Sequence, residues 1–208
     1  TSGCGVEQHL KAAARGLEHT GPDGPNAGFL RPDSILVILF VSDEEDCSFW
    51  DEGLFDESDT SLGHLSLRCF MHPNRLYAVD EYVEVFRGYR ADPLRLVMAF
   101  IVGVPPDPAC AGSGDQIPEC LELPAMQEQI DPVDPTRLSF SCDTSVGYAF
   151  PPRRLVQVAQ ALGPSGLVGS ICTEDLQPAV DALTSKIHQN ADRLYAVQEL
   201  GTRPLDDP

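Results

Sequence analysis

Ile35-Leu36-Val37-Ile38-Leu39-Phe40-Val41 is an unbroken apolar run that leads through Ser42 into Asp43-Glu44-Glu45-Asp46 and then Cys47. A run of this length, rich in β-branched residues, reads as a strand covered on both faces, the usual state in a parallel sheet packed between helices. The four acids then fall just past its C-terminal end, along the edge where open α/β sheets bind ligands. Carboxylates gathered there repel one another unless a cation or a set of hydrogen-bond donors compensates them. The plainer reading is a solvated acidic turn.

The remaining elements alternate around that strand. Val6, Leu10, Ala13 and Leu17 share one helical face, and the Gly- and Pro-rich stretch 21–32 that follows is a loop. Val79, Tyr82, Val83 and Phe86 mark a second helix ending near Tyr89, and Leu94 to Val104 reads as another buried strand. Pro152 and Gly163 frame a third helix carrying Leu155, Val158, Ala159 and Leu162. Leu167 to Ile171 is a short strand. Thr173 is the expected N-cap of a last helix with Leu176, Val180, Leu183 and Ile187 along its stripe. This order implies a parallel sheet with right-handed crossovers. Residues 1–200 form one domain on this reading, with 201–208 as a tail.

Two excursions interrupt the alternation. Between Asp43 and Asp59 there are nine acids and no basic residue, with Trp50 and Phe55 expected to anchor the segment. Residues 105–150 form a long Pro- and Gly-rich loop, of the kind that is usually functional or stapled. The seven cysteines show neither Cys-x-x-Cys nor His-Glu-x-x-His spacing, so disulfides and an oxidising compartment are expected rather than zinc. Six cysteines allow fifteen connectivities. Local pairing within the excursions favours Cys47–Cys69, Cys110–Cys120 and Cys142–Cys172. Cys4 is then the odd one.

A net charge of −18 argues against a nucleic-acid partner, whose backbone would be repelled. It suits divalent cations, although general solubility accounts for most of it. No stretch is apolar enough to span a bilayer. His9, His19, His64, His72 and His188 follow no ligand pattern.

Gly3-Cys4-Gly5-Val6-Glu7-Gln8, Gly28-Phe29-Leu30-Arg31-Pro32-Asp33 and Val41-Ser42-Asp43-Glu44-Glu45-Asp46-Cys47, closed by Ser170-Ile171-Cys172 before a helix, resemble the Cys-rich von Willebrand factor type A-like domains of bacterial envelope lipoproteins and secreted proteins. The resemblance implies a three-layer Rossmann-like α/β fold. It also implies an extracytoplasmic setting, secreted or anchored at the outer membrane, and a metal-ion-dependent adhesion site. Val41-Ser42-Asp43-Glu44 stands where that family has a strand ending in Thr-Asp-Gly, so Asp43 is the implied metal ligand; Glu7, Glu45 and Asp46 are the nearest acids to help it. Mg²⁺ or Ca²⁺ suits such hard oxygen donors. The family's Asp-x-Ser-x-Ser motif is absent. Asp56-Glu57-Ser58-Asp59-Thr60 mimics it in an acidic loop rather than after a strand, and Cys4, with Thr1 and Ser2 nearby, stands where a metal-site Thr is expected.

Three functional classes follow. The first is a binding or adhesion module that engages a protein partner, with a divalent cation at Asp43. The second is a metal-free structural domain of a surface assembly. The third is a hydrolytic enzyme using Cys142 with His188, or Asp43 paired with Glu45. The sequence offers three good strands. A sheet of these alone leaves the Leu36 strand as a long apolar edge, which soluble proteins avoid. The chain is therefore expected to be the C-terminal part of a larger domain whose preceding segment supplies strands, metal ligands and a partner for Cys4.

Overall fold

The computed structural model describes residues 6–145 and 147–202. Its elements are helices α1 (His9–Glu18), α2 (Arg68–Met71), α3 (Val79–Gly88), α4 (Arg153–Leu162) and α5 (Gln177–Thr202), and strands β1 (Leu36–Ser42), β2 (Leu96–Val102), β3 (Gly112–Ser113), β4 (Cys142–Thr144), β5 (Gly147–Ala149) and β6 (Gly166–Ser170). The main sheet has the order β1-β2-β6-β3. The first three strands are parallel, and two-residue β3 runs antiparallel at the far edge.

The period-2 alternation of a strand sorts its side chains between two layers. Leu36, Phe40, Leu96, Met98, Phe100, Val102 and Val168 point into one core with α1, α3 and α4, and Phe40 stacks on Phe100 at 5.0 Å between centroids. Each fully buried Leu or Phe there contributes roughly 1.5–3 kcal/mol. Val97, Ala99 and Ile101 point the other way, toward α5. A Cβ on Gly169 would lie 2.8 Å from the Ala179 Cβ, so the missing side chain lets α5 settle on β6. The protein is thus a mixed α/β fold with a mostly parallel central sheet and helices on both faces.

β1 departs from expectation on one face. Val37, Leu39 and Val41 are 37 %, 48 % and 57 % exposed, because α5 covers β2 and β6 but not β1. The strand is an edge, as the three-strand reading implied, and not a strand buried on both faces.

All three expected disulfides are present: Cys47–Cys69, Cys110–Cys120 and Cys142–Cys172. The first closes the acidic excursion. Buried Arg68 organises that segment by donating to the carbonyls of Leu54, Asp56, Asp59 and Gly63. Leu54 and Phe49 anchor it in a small core that Phe55 packs against, whereas Trp50 is 55 % exposed and anchors nothing. Asp56 and Asp59 accept from Ser58 and Ser61 in exposed local turns. The long excursion is ordered by Cys110–Cys120 and buries Ile117 and Met126 in the main core.

Two helix starts differ from the sequence reading. Pro152 precedes α4 rather than opening it, while Gly163 ends that helix with φ +58°, a conformation that suits glycine. At α5, Thr173 donates its hydroxyl to the Asp175 carbonyl, and it is the Asp175 carboxylate that accepts from Gln177 N–H. α5 runs to Thr202, two residues past the expected domain boundary. Cys4, Thr1 and Ser2 lie outside the described residues, as does the end of the tail. No described helix is long and apolar enough to cross a membrane.

Candidate functional site

The four acids after β1 have sharply different fates. Ser42 is buried and its hydroxyl accepts from Glu44 N–H at 3.0 Å, turning the chain at the strand end. Asp43 emerges exposed, and its carbonyl accepts from Phe150 N–H at 2.8 Å. Among the described residues its carboxylate forms no ion pair.

Asp46 is fully buried and saturated. Its Oδ1 accepts from Leu10 N–H at 2.9 Å and from the Ser48 hydroxyl at 2.7 Å. Its Oδ2 accepts from Ser48 N–H and from Arg154 Nε, each at 3.1 Å. The carboxylate therefore caps the start of α1, where orphan N–H groups and the helix dipole favour an anion. Glu45 performs the matching task for α4, accepting from Arg154 N–H at 2.8 Å and from its neighbour Asp46 N–H at 2.7 Å. Arg154 completes the joint by donating to the Tyr77 carbonyl at 2.8 Å. Glu45 and Asp46, two of the acids expected to help Asp43 hold a metal, thus spend their oxygens on helix starts and one arginine.

Glu7 and Glu45 do share a pocket of about 60 Å³, together with Glu44, Glu128 and Arg137, beneath the Cys47–Cys69 bridge. That volume holds a water or two. Burial, then the charges of Glu7 and Asp43, push the Glu44 carboxyl up to about 7. Burial and the nearby Glu128 drive Glu45 upward, against the pull of the two N–H groups it accepts from. Burial likewise raises Glu128, opposed by Arg153 and Arg154. Arg137 is committed elsewhere, to Asp131 at 2.5 Å and Asp134 at 3.3 Å.

Asp43 faces a different recess, of about 270 Å³, lined by Cys142, Cys172, Thr144, Tyr148 and Ile171. The β4–β5 hairpin walls it, held by the Cys142–Cys172 bridge to the end of β6. Asp43 and Glu45 thus line different recesses, and Cys142 is bonded to Cys172 instead of free to act with His188. Among the described residues no group of three or more His, Cys, Asp or Glu can hold a metal ion. The donor set does not fit a cation cage built by this chain alone. Of the acids at this strand end Asp43 is the exposed one, while Glu7 and Glu44 are half-buried in the small pocket.

Sequence reasoning missed Glu44, whose carboxyl burial raises to about 7, and Glu128, whose charge bears on Glu45 in the same pocket. Nothing in the stretch around Glu128 signals that residues 105–150 fold back over the strand ends. Set beside known proteins, the chain matches no family model, no curated protein and no solved structure.

Proposed function

We propose that this chain is an extracytoplasmic protein-binding module of the von Willebrand factor A-like kind, whose contact point is Asp43 at the C-terminal end of β1. The observation that carries this reading is the contrast within one tetrad. Glu45 and Asp46 are consumed by helix starts and Arg154, while the exposed Asp43 carboxylate has no ion-pair partner among the described residues. The three disulfides support an oxidising setting, secreted or at the outer membrane. Mg²⁺ typically keeps several waters and one or two carboxylates. A hydrated Mg²⁺ or Ca²⁺ at Asp43, completed by an oxygen from the partner, is compatible with one exposed acid at the strand end.

A metal-free structural role is the second reading, favoured by the same saturation of Glu45 and Asp46. Titration with Mg²⁺ and Ca²⁺, followed by amide shifts over residues 42–46, separates the two. The first reading expects changes centred on Asp43 that Asp43→Asn removes. A silent titration supports the second.

A further inference from the structure

β1 ends the sheet with a row of open backbone groups. In a parallel pair, alternate N–H and C=O groups of a strand point to each side, so about half of those in Leu36–Ser42 face away from β2. Uncharged edges of this length invite strand addition. Among the described residues no strand or charge blunts this one. Residues 35–41 contain no charge, proline or glycine, and Val37, Leu39 and Val41 stand exposed.

Beside the edge lies a groove of about 450 Å³ between β1 and α1, lined by Ala13, Gly16, Leu17, Phe29 and Val37 among others. A Cβ built on Gly16 meets nothing within 4 Å. Among the described residues nothing fills the space beneath α1 where a neighbouring strand's side chains would lie.

The path of α1 identifies the occupant. Leu10 N–H is held by Asp46 and Cys47 N–H donates to the Glu7 carbonyl, so α1 starts at the C-terminal end of β1. Leu17 and Thr20 line the groove with Leu36 and Val37, so it finishes at the other end. α1 therefore runs antiparallel to β1. α3 links β1 to β2 and α4 links β2 to β6, both on the face that α1 occupies, and both steps move away from the open edge. One more strand on that edge, leading into α1, would give a third crossover with the same hand, as parallel sheets require.

We propose that the open edge of β1 receives a parallel β-strand from this protein's own polypeptide, the segment that leads into Val6 and α1. The strand would supply apolar side chains to the groove beneath Ala13 and Gly16 and would pair with the outward N–H and C=O groups of Leu36–Ser42. This inference is independent of the Asp43 reading. A cation response at Asp43 leaves it untouched, and its failure leaves that response intact.

Hydrogen exchange tests it, comparing the 208-residue chain with the full gene product that includes whatever is encoded ahead of Thr1. In the chain from Thr1 about half of the Leu36–Ser42 amides should exchange quickly. In the full product they should slow at least about a hundredfold, as amides bonded within a stable sheet do. Gly16→Trp has room in the described chain and should leave its folding unchanged, but in the full product it should fill the groove and restore fast exchange. Several results would overturn the proposal. They are fast exchange in the full product, a gene product with no strand-forming residues ahead of Thr1, and unchanged protection in Gly16→Trp. Protection in the 208-residue chain that grows with its concentration would assign the edge to a second copy instead. Protection that appears only on adding another protein would assign it to a partner in trans.

Discussion

Arg154, in the first turn of α4, holds Asp46, four residues past β1, with its Nε 3.1 Å from Oδ2. The same residue's backbone N–H is taken by Glu45. One arginine therefore ties the head of α4 to the end of β1, while the other oxygen of Asp46 ties β1 to the head of α1. The C-terminal end of the strand is a structural joint first, and the Asp43 and Glu44 carboxylates stand outside it, Asp43 exposed and Glu44 half-buried.

Arg154→Met should be strongly destabilising. It leaves Asp46 fully buried with its hydrogen bonds from Leu10 and Ser48 but without its counter-charge. Breaking a buried pair from one side costs about 3–5 kcal/mol. Urea denaturation at neutral pH checks it, and a loss below about 1 kcal/mol would mean that water reaches Asp46.

Glu44 gives the fold a pH dependence of defined sign. Its carboxyl titrates at about 7 in the folded state against 4.5 as the ordinary value. The folded protein therefore binds this proton more tightly than the unfolded chain does. The advantage is fully present below pH 4.5 and is lost as pH rises through about 7. The side chain is only partly buried, so solvent screening reduces the effect to on the order of 1 kcal/mol. Glu44→Gln should flatten this segment of the stability curve and raise Tm at pH 8 relative to the parent. An unchanged slope between pH 5 and 8 would place the perturbed group elsewhere.

The Cys142–Cys172 bridge fixes the hairpin wall of the Asp43 recess to the end of β6. Its two cysteines are 30 residues apart, and a crosslink closing a loop of that size contributes about 3–4 kcal/mol through the unfolded chain. The double variant Cys142→Ser/Cys172→Ser should lose this amount and become susceptible to proteolysis within residues 142–149. Resistance equal to the parent's would show that the aromatic contacts of Tyr148 with Phe140 and Phe150 hold the hairpin unaided.

What was legible in the sequence was local. The Leu36 run, the Leu94–Val104 run and the helical stripes carry their pattern within a dozen residues, and the three bridges join cysteines no more than 30 residues apart. The roles of Glu45 and Asp46 were not legible, because their partners are Leu10, 36 residues upstream of Asp46, and Arg154, 108 residues downstream. An acid that caps a distant helix looks, in sequence, like an acid that awaits a cation. β3, β4 and β5 escaped for a different reason: strands of two or three residues carry no period to read. The exposure of Val37, Leu39 and Val41 depends on where α5 lies, which no local pattern fixes.

The central claim is a division of labour within Asp43-Glu44-Glu45-Asp46, and thermal unfolding of three variants with and without millimolar Mg²⁺ tests it most directly. Mg²⁺ should raise the Tm of the parent, and Glu45→Gln and Asp46→Asn should each lower Tm while preserving that shift. Asp43→Asn should leave Tm unchanged and abolish that shift. Loss of the Mg²⁺ response at unchanged Tm in Asp46→Asn, or unfolding of Asp43→Asn as readily as the other two, would contradict this division of labour.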